Sequence, residues 1–156
     1  MITSERTVLE VDLNNVLGQA FQESHRAIKN RAVHTVVEEG GRGSLKSSFC
    51  SVEIILWLLR WPQSHALVLR QMSNTLADSV YAQLLWAVGK LGLSDNFIEK
   101  KSPLQLIYKP TGQRIYFRGM DDETKIKSIK PPFGYIGCLW FEEADQLRRG
   151  EDAVLS

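Results

Sequence analysis

A run of small residues, Gly40-Gly41-Arg42-Gly43-Ser44-Leu45, leads directly into Lys46-Ser47-Ser48. Far downstream an apolar run, Tyr135 to Phe141, ends in two acids, Glu142-Glu143. These residue types suit phosphate chemistry. Glycines permit unusual backbone angles and clear side chains from a ligand's path, so that several amides can aim at one anion. A helix that starts at such a loop adds partial positive charge. A lysine then meets the β- and γ-phosphates, and a hydroxyl beside it is a ligand for magnesium. Gly40, Gly41 and Gly43 supply the loop, Lys46 the charge and Ser47 the hydroxyl. One carboxylate at the end of a strand can hold a magnesium shell while its neighbour takes a proton from water. Glu142 fits the first role and Glu143 the second.

One position departs from the pattern G-x-x-x-x-G-K-[ST]: its second glycine is Leu45. A leucine is harmless there if its backbone is already helical and its side chain turns into the core. Otherwise it crowds the phosphates. The competing explanation of the loop is a glycine-rich turn without a ligand, and that of the acids is a helix N-terminus with favourable charge.

The elements needed to position these residues are legible. Val33 to Val37 is β-branched and reads as a strand before the loop. Ser47 to Arg60 reads as a helix, with Phe49, Val52, Ile55, Leu56 and Leu59 at helical spacing and further apolar residues widening the face, so it should be buried. Pro62 stops it. His65 to Arg70 is a second apolar strand. Asn74 to Leu91 is an amphipathic helix, with Gly92 just past its end. Leu104 to Tyr108 and Arg114 to Phe117 flank Lys109-Pro110-Thr111-Gly112-Gln113 as a hairpin. Asp121 to Lys130 is a charged loop or short helix, and Tyr135 to Phe141 a strand. Upstream, Val16 to Ala32 suggests a helix and a turn. Strands alternating with helices predict an α/β fold with a mainly parallel sheet flanked by helices. In such sheets ligands bind at the carboxyl ends of the strands, where the acids fall.

The chain has 156 residues, enough for one domain with a real core. Nineteen basic against eighteen acidic residues leave a net charge of +1, so bulk charge argues for neither nucleic acid nor membrane as partner. The start of the chain lacks a signal-peptide pattern, and the run Ile54 to Leu59 is too short to span a bilayer. A cytoplasmic, non-secreted protein is expected. Cys50 and Cys138 read as reduced thiols, and Trp57, Trp61, Trp86 and Trp140 as core. His25, His34 and His65 show no catalytic spacing. Arg118, Lys125, Lys127 and Lys130 form the most basic segment, a candidate for DNA contact against the commoner reading of solvated lysines.

Taken together, GGRGSLKSS, LVLRQ, SVYAQL, SPLQLIY, IYFRGMDDETKIKSI and LWFEEADQ, in this order from about Val33 to Leu147, resemble the large terminase subunit of tailed bacteriophages. The resemblance implies a P-loop ATPase domain of a viral DNA-packaging motor that drives DNA into the procapsid in the host cytoplasm. It implies ATP and magnesium as cofactors, with Gly40, Gly41, Arg42, Gly43, Ser44, Leu45, Lys46, Ser47 and Ser48 around the nucleotide. Ser47 and Glu142 would hold magnesium, Glu143 and Arg42 would be catalytic, and Arg70 would reach phosphate or brace Glu143. Phe21-Gln22 would help hold adenine. Implied partners are double-stranded DNA, a portal protein, the small terminase subunit and further copies of the chain.

The expected organisation is one partial domain over 1–156, with an N-terminal helical segment at 1–32 and an α/β core at 33–150. A terminase large subunit continues past this region with a coupling motif, further strands and a nuclease domain. The α/β unit is therefore expected to be incomplete at its C-terminal end, without nuclease activity and with low ATP turnover. The rival expectation is a non-hydrolysing interaction module of the same descent, binding portal, small terminase or itself.

Overall fold

A computed structural model describes residues 10–12, 15–16, 19–41 and 45–144. Its elements in chain order are α1 (Gln22–Lys29), α2 (Lys46–Arg60), β1 (Ser64–Arg70), α3 (Ala82–Lys90), β2 (Phe97–Lys101), β3 (Leu104–Tyr108), β4 (Gln113–Gly119), α4 (Glu123–Lys127) and β5 (Tyr135–Phe141). A 3-10 turn at Ser73–Thr75 and a π-helical turn at Ala77–Tyr81 lead into α3. The helix expected over Asn74 to Leu91 is therefore present as a stretch of mixed winding.

The five strands form one sheet in the order β2-β3-β4-β1-β5. β1 runs parallel to both β4 and β5, whereas β2/β3 and β3/β4 are antiparallel. The sheet is thus mixed, not mainly parallel. Short turns are the cause, because they can only return the chain antiparallel, and a parallel neighbour needs a long crossover. The Lys109–Gln113 hairpin was legible. The second one, which adds β2 across Ser102-Pro103, was not. A second departure lies at Val33 to Val37, where no strand forms. The residues favour β structure, but propensity alone supplies no hydrogen-bonding partner.

Strand alternation splits β1 between two cores. Ala66 and Val68 point to the larger one, with Phe49, Val52, Ile55 and Leu58 of α2, Leu84 and Val88 of α3, and Leu106, Ile115 and Phe117 of the sheet. Burying one such side chain contributes about 1.5–3 kcal/mol, so this face supplies most of the apolar stabilisation. Leu67 and Leu69 point the other way, to Tyr116, Met120, Ile126, Ile129 and Phe141. Of the four tryptophans only Trp140 is fully buried, and Trp86 is exposed, so the expectation of four core tryptophans is corrected.

Two glycines set the path of β5. The β1/β5 register slips between His65 and Ala66, which skips Gly137. A Cβ there would sit 2.4 Å from the Ser64 hydroxyl. Gly134 has φ 60, and a Cβ on it would fall 1.9 Å from the Gln63 carbonyl. Only glycine admits that approach and that backbone together. No helix among the described residues is long and apolar enough to cross a membrane.

Candidate nucleotide site

α2 starts at the loop, and β5 delivers its acids to the same place. The Ser47 hydroxyl donates to Glu142 Oε1 at 2.7 Å. Glu142 is fixed by its own amide, which donates to the Leu69 carbonyl at 3.0 Å and extends the β1/β5 ladder by one step. The Lys46 ammonium folds back over the loop and donates to the carbonyls of Gly40 and Gly41, the latter at 3.1 Å. Arg42, Gly43 and Ser44 lie outside the described residues. Ser48 sits in the first turn of α2, where its hydroxyl accepts a long bond from Gln83 at 3.4 Å.

Leu45 meets neither condition for being harmless. It caps α2 in the left-handed region, with φ 62 and ψ 14, and its side chain is 55% exposed. This is the backbone that the usual glycine accepts freely, and for other residues the Cβ makes it costly. Glu143 is also left-handed, with φ 55. Its Oε2 pairs with Arg70 Nη2 at 2.8 Å, while Arg70 Nη1 donates to the Thr75 carbonyl at 3.3 Å. Arg70 is thus paired with Glu143, the contact expected both of a brace and of a structural ion pair.

A cavity of about 360 Å³ opens beside Ser47 and Glu142, walled by Asp78, Gln83, Trp86 and Trp140 among others. The sequence analysis missed this wall. Asp78 and Gln83 fall within the amphipathic helix expected over Asn74 to Leu91, and nothing in their type or spacing singled them out. It also missed how α1 is tied down. Phe21 stacks on Phe49 with centroids 4.7 Å apart. The Ser24 hydroxyl donates to Glu38 at 2.5 Å, and His25 Nδ1 bonds the buried Glu53 carboxyl. Burial pushes the Glu53 carboxyl up in pKa, against the lowering effect of His25. Phe21 is buried in its stack, which removes it as an open platform for adenine.

Cys50 lies one turn beyond Lys46. Burial, with a smaller contribution from the Glu142 charge, pushes its thiol up to about 12. Burial does the same to Cys138. Neither thiol is a nucleophile at neutral pH. Arg118 is turned inward, donating to the carbonyls of Leu104 and Phe117, so it leaves the basic segment. Lys125 and Lys127 are exposed and pair with Asp122 and Glu123 along α4.

The model of the family "Phage terminase large subunit" matches residues 32–154, a range that contains the loop, Arg70 and both acids. The chain belongs to the phage terminase large subunit family. It is 37% identical over 143 residues to "Terminase, large subunit" of Bacillus phage SPP1, covering 92% of this chain and 34% of that protein. It is also 37% identical over 109 residues to "PBSX phage terminase large subunit" of Bacillus subtilis (strain 168), covering 70% of this chain and 24% of that protein. The chain therefore spans about a third and about a quarter of these two relatives. α1 lies upstream of the residues that the family model matches.

A magnesium ion suits the side chains that meet here. Ser47 and Glu142 offer hard oxygens, and no group of three or more His, Cys, Asp or Glu among the described residues forms a cage for a metal. Mg²⁺ commonly takes one or two protein oxygens and completes its shell from phosphates and water.

Proposed function

We propose that this terminase-family chain carries the ATP-binding and ATP-hydrolysing site of a DNA-packaging motor. The observation that carries the reading is the Ser47–Glu142 hydrogen bond, which joins the start of α2 to the end of β5. A hydroxyl and a carboxylate held together beside a lysine-bearing loop are the groups that a magnesium nucleotide needs. In this reading Lys46 exchanges its Gly40 and Gly41 carbonyls for phosphate oxygens, and the loop amides cradle the same polyanion. Arg42 meets the γ-phosphate with its forked donors. Ser47 and Glu142 would hold Mg²⁺, which would neutralise charge on the phosphates. Glu143 accepts a proton from the attacking water. The water oxygen bonds to the γ-phosphorus as the bond to the β–γ bridging oxygen breaks. Arg70 orients Glu143 through their ion pair.

The partners proposed with this role are double-stranded DNA, a portal protein, the small terminase subunit and further copies of the chain, in the host cytoplasm. Calorimetry with Mg-ATP tests the site. Binding is expected, and Lys46→Ala should abolish it; equal heats from both proteins would remove Lys46 and the loop from nucleotide binding.

One observation favours a second reading, a non-hydrolysing interaction module. It is Leu45, outward-facing and left-handed on the loop itself. Calorimetry on Leu45→Gly separates the two. Tighter Mg-ATP binding supports a crowded nucleotide site, whereas no heat from either protein supports the module.

A further inference from the structure

β1 and β4 run parallel, and their ladder ends where Arg70 stands opposite Gly119. The two chains stay together beyond that point. The Met120 amide donates to the Arg70 carbonyl at 2.8 Å, and the Asp121 amide to the Gln71 carbonyl at 3.2 Å. A side chain then fastens the two loops. Asp121 Oδ1 accepts from the Ser73 amide at 3.0 Å and from the Ser73 hydroxyl at 2.5 Å. Asp121 and Asp122 are neighbours with different tasks. Asp122 caps α4 by accepting the Lys125 amide at 3.1 Å. Asp121 instead crosses to a residue 48 positions earlier in the chain.

The glycine at 119 admits this clasp. A Cβ there would fall 2.2 Å from both Asp121 Oδ1 and the Ser73 hydroxyl, and 2.5 Å from the Ser73 amide nitrogen. These distances lie well inside van der Waals contact, so a side chain at 119 and the clasp exclude each other.

The clasp is the first link of a chain that ends at Glu143. Ser73 opens the 3-10 turn Ser73–Thr75, and its amide lies where the winding itself supplies no acceptor. At the far end of the turn the Thr75 carbonyl accepts from Arg70 Nη1 at 3.3 Å and from the Ser79 hydroxyl at 2.6 Å. Arg70 Nη2 reaches Glu143 Oε2 at 2.8 Å. A guanidinium is a rigid planar fork, so holding one prong fixes the direction of the other.

We propose that Asp121 is a positioning residue for hydrolysis: it holds the Ser73–Thr75 turn, the turn holds Arg70, and Arg70 aims Glu143. The inference rests on the reading of Glu143 as the base that takes a proton from water. Asp121 is exposed, so water competes for its bonds and their net contribution to stability is small. Its loss is therefore read at Arg70 and in turnover, not in the melting temperature.

Two measurements on this chain test the link. The first needs no nucleotide and follows the side-chain N–H signals of Arg70 by NMR in isotope-labelled protein. A guanidinium held at both Nη groups rotates slowly and shows separate signals, whereas a free one averages them. Separate signals are expected in the parent and averaged ones in Asp121→Ala. Asp121→Asn, which keeps an acceptor oxygen for Ser73, should restore them. Asp122→Ala removes only the α4 cap and should leave them separate. Averaged signals in the parent, or separate signals in Asp121→Ala, would overturn the inference. The second measurement is turnover at saturating Mg-ATP. Asp121→Ala should lower it on the order of 10²-fold, the cost of misplacing a reacting group by about 1 Å, with Mg-ATP affinity unchanged in calorimetry. In a Glu143→Gln background the same substitution should cost nothing further, because it acts only through that acid. A full additional loss there would make Asp121 a general prop and overturn its positioning role. Turnover that survives Glu143→Gln would overturn the reading of Glu143 itself, whereas Arg70 signals that ignore Asp121 overturn the inference alone.

Discussion

The two ends of β1 treat polar groups in opposite ways. At its start, Ser64, His65 and the neighbouring Gln113 are wholly buried. Gln113 Nε2 donates to the carbonyls of Leu58, Trp61 and Ser64 at 2.7–3.0 Å, which closes the end of α2 onto the sheet. The Gln113 carbonyl accepts from Thr111, and the Trp57 indole donates to Ser64. His65 accepts the Arg114 amide on Nδ1 and donates from Nε2 to the Phe133 carbonyl. At the other end Arg70 pairs with Glu143 and Ser47 with Glu142 while partly exposed, with two left-handed residues nearby. Buried, satisfied networks are costly to break, whereas a wet ion pair contributes little. One end holds the fold together. The other keeps bonds that a ligand can replace at small cost.

The strongest way to break this contrast is to alter one group at each end. Glu143→Gln should lower ATP turnover by about 10²–10⁴-fold, the usual contribution of a positioned general base. Mg-ATP affinity and melting temperature should stay close to the parent. Turnover that survives would take Glu143 out of the mechanism, and a large loss of stability would make the acid end structural after all. Gln113→Leu should do the reverse. It leaves buried carbonyls without a donor and should cost roughly 2–4 kcal/mol in urea unfolding. A cost below about 1 kcal/mol would show that water replaces the amide, and the two ends would no longer differ.

The contrast also explains what could be read in advance. Lys46, Ser47, Glu142 and Glu143 could be singled out because the proposed chemistry needs fixed residue types beside a strand or helix end, and the structure brings Ser47 and Glu142 into contact. α2 was legible from the helical spacing of its apolar residues and β1 and β5 from continuous apolar runs, and their observed bounds differ from the expected ones by a residue at most. β2 was not, since Phe97 is its only buried residue and Ile98 to Lys101 show no alternation. Trp86 was taken for core because a large apolar residue in an apolar stretch gives no sign that it lines a cavity. The stabilising end was silent for another reason. His65 and Gln113 are far apart in sequence and single in kind, and only the parallel pairing of β1 with β4 brings them together. The handedness of Leu45 was beyond the sequence too, because it depends on how the loop enters α2.

A smaller effect distinguishes the ends by pH. Desolvation holds the His65 pKa below its ordinary value of 6.5, against the raising effect of the Phe133 bond. Nδ1 must also stay unprotonated to accept the Arg114 amide. The unfolded chain therefore takes up this proton at higher pH than the folded one. Stability from this group is complete above about pH 7 and falls as pH drops through 6.5 towards the lower folded value. Thermal melts should show that decline, and His65→Gln, which keeps one donor and one acceptor, should flatten it. An identical decline in the variant would assign the pH dependence elsewhere.

The smallest effect lies at Leu45, where its sign carries the information. A left-handed non-glycine residue costs about 1–2 kcal/mol, while glycine's extra freedom in the unfolded chain costs about 0.5–1 kcal/mol. Leu45→Gly should therefore stabilise the protein by about 0.5–1 kcal/mol in urea unfolding, because the exposed leucine side chain gives up little packing. The same substitution at a position with ordinary helical backbone would destabilise. A destabilised Leu45→Gly would mean that the loop is not strained in solution. The functional end would then be as relaxed as the buried one, and the division of labour along β1 would rest on the acids alone.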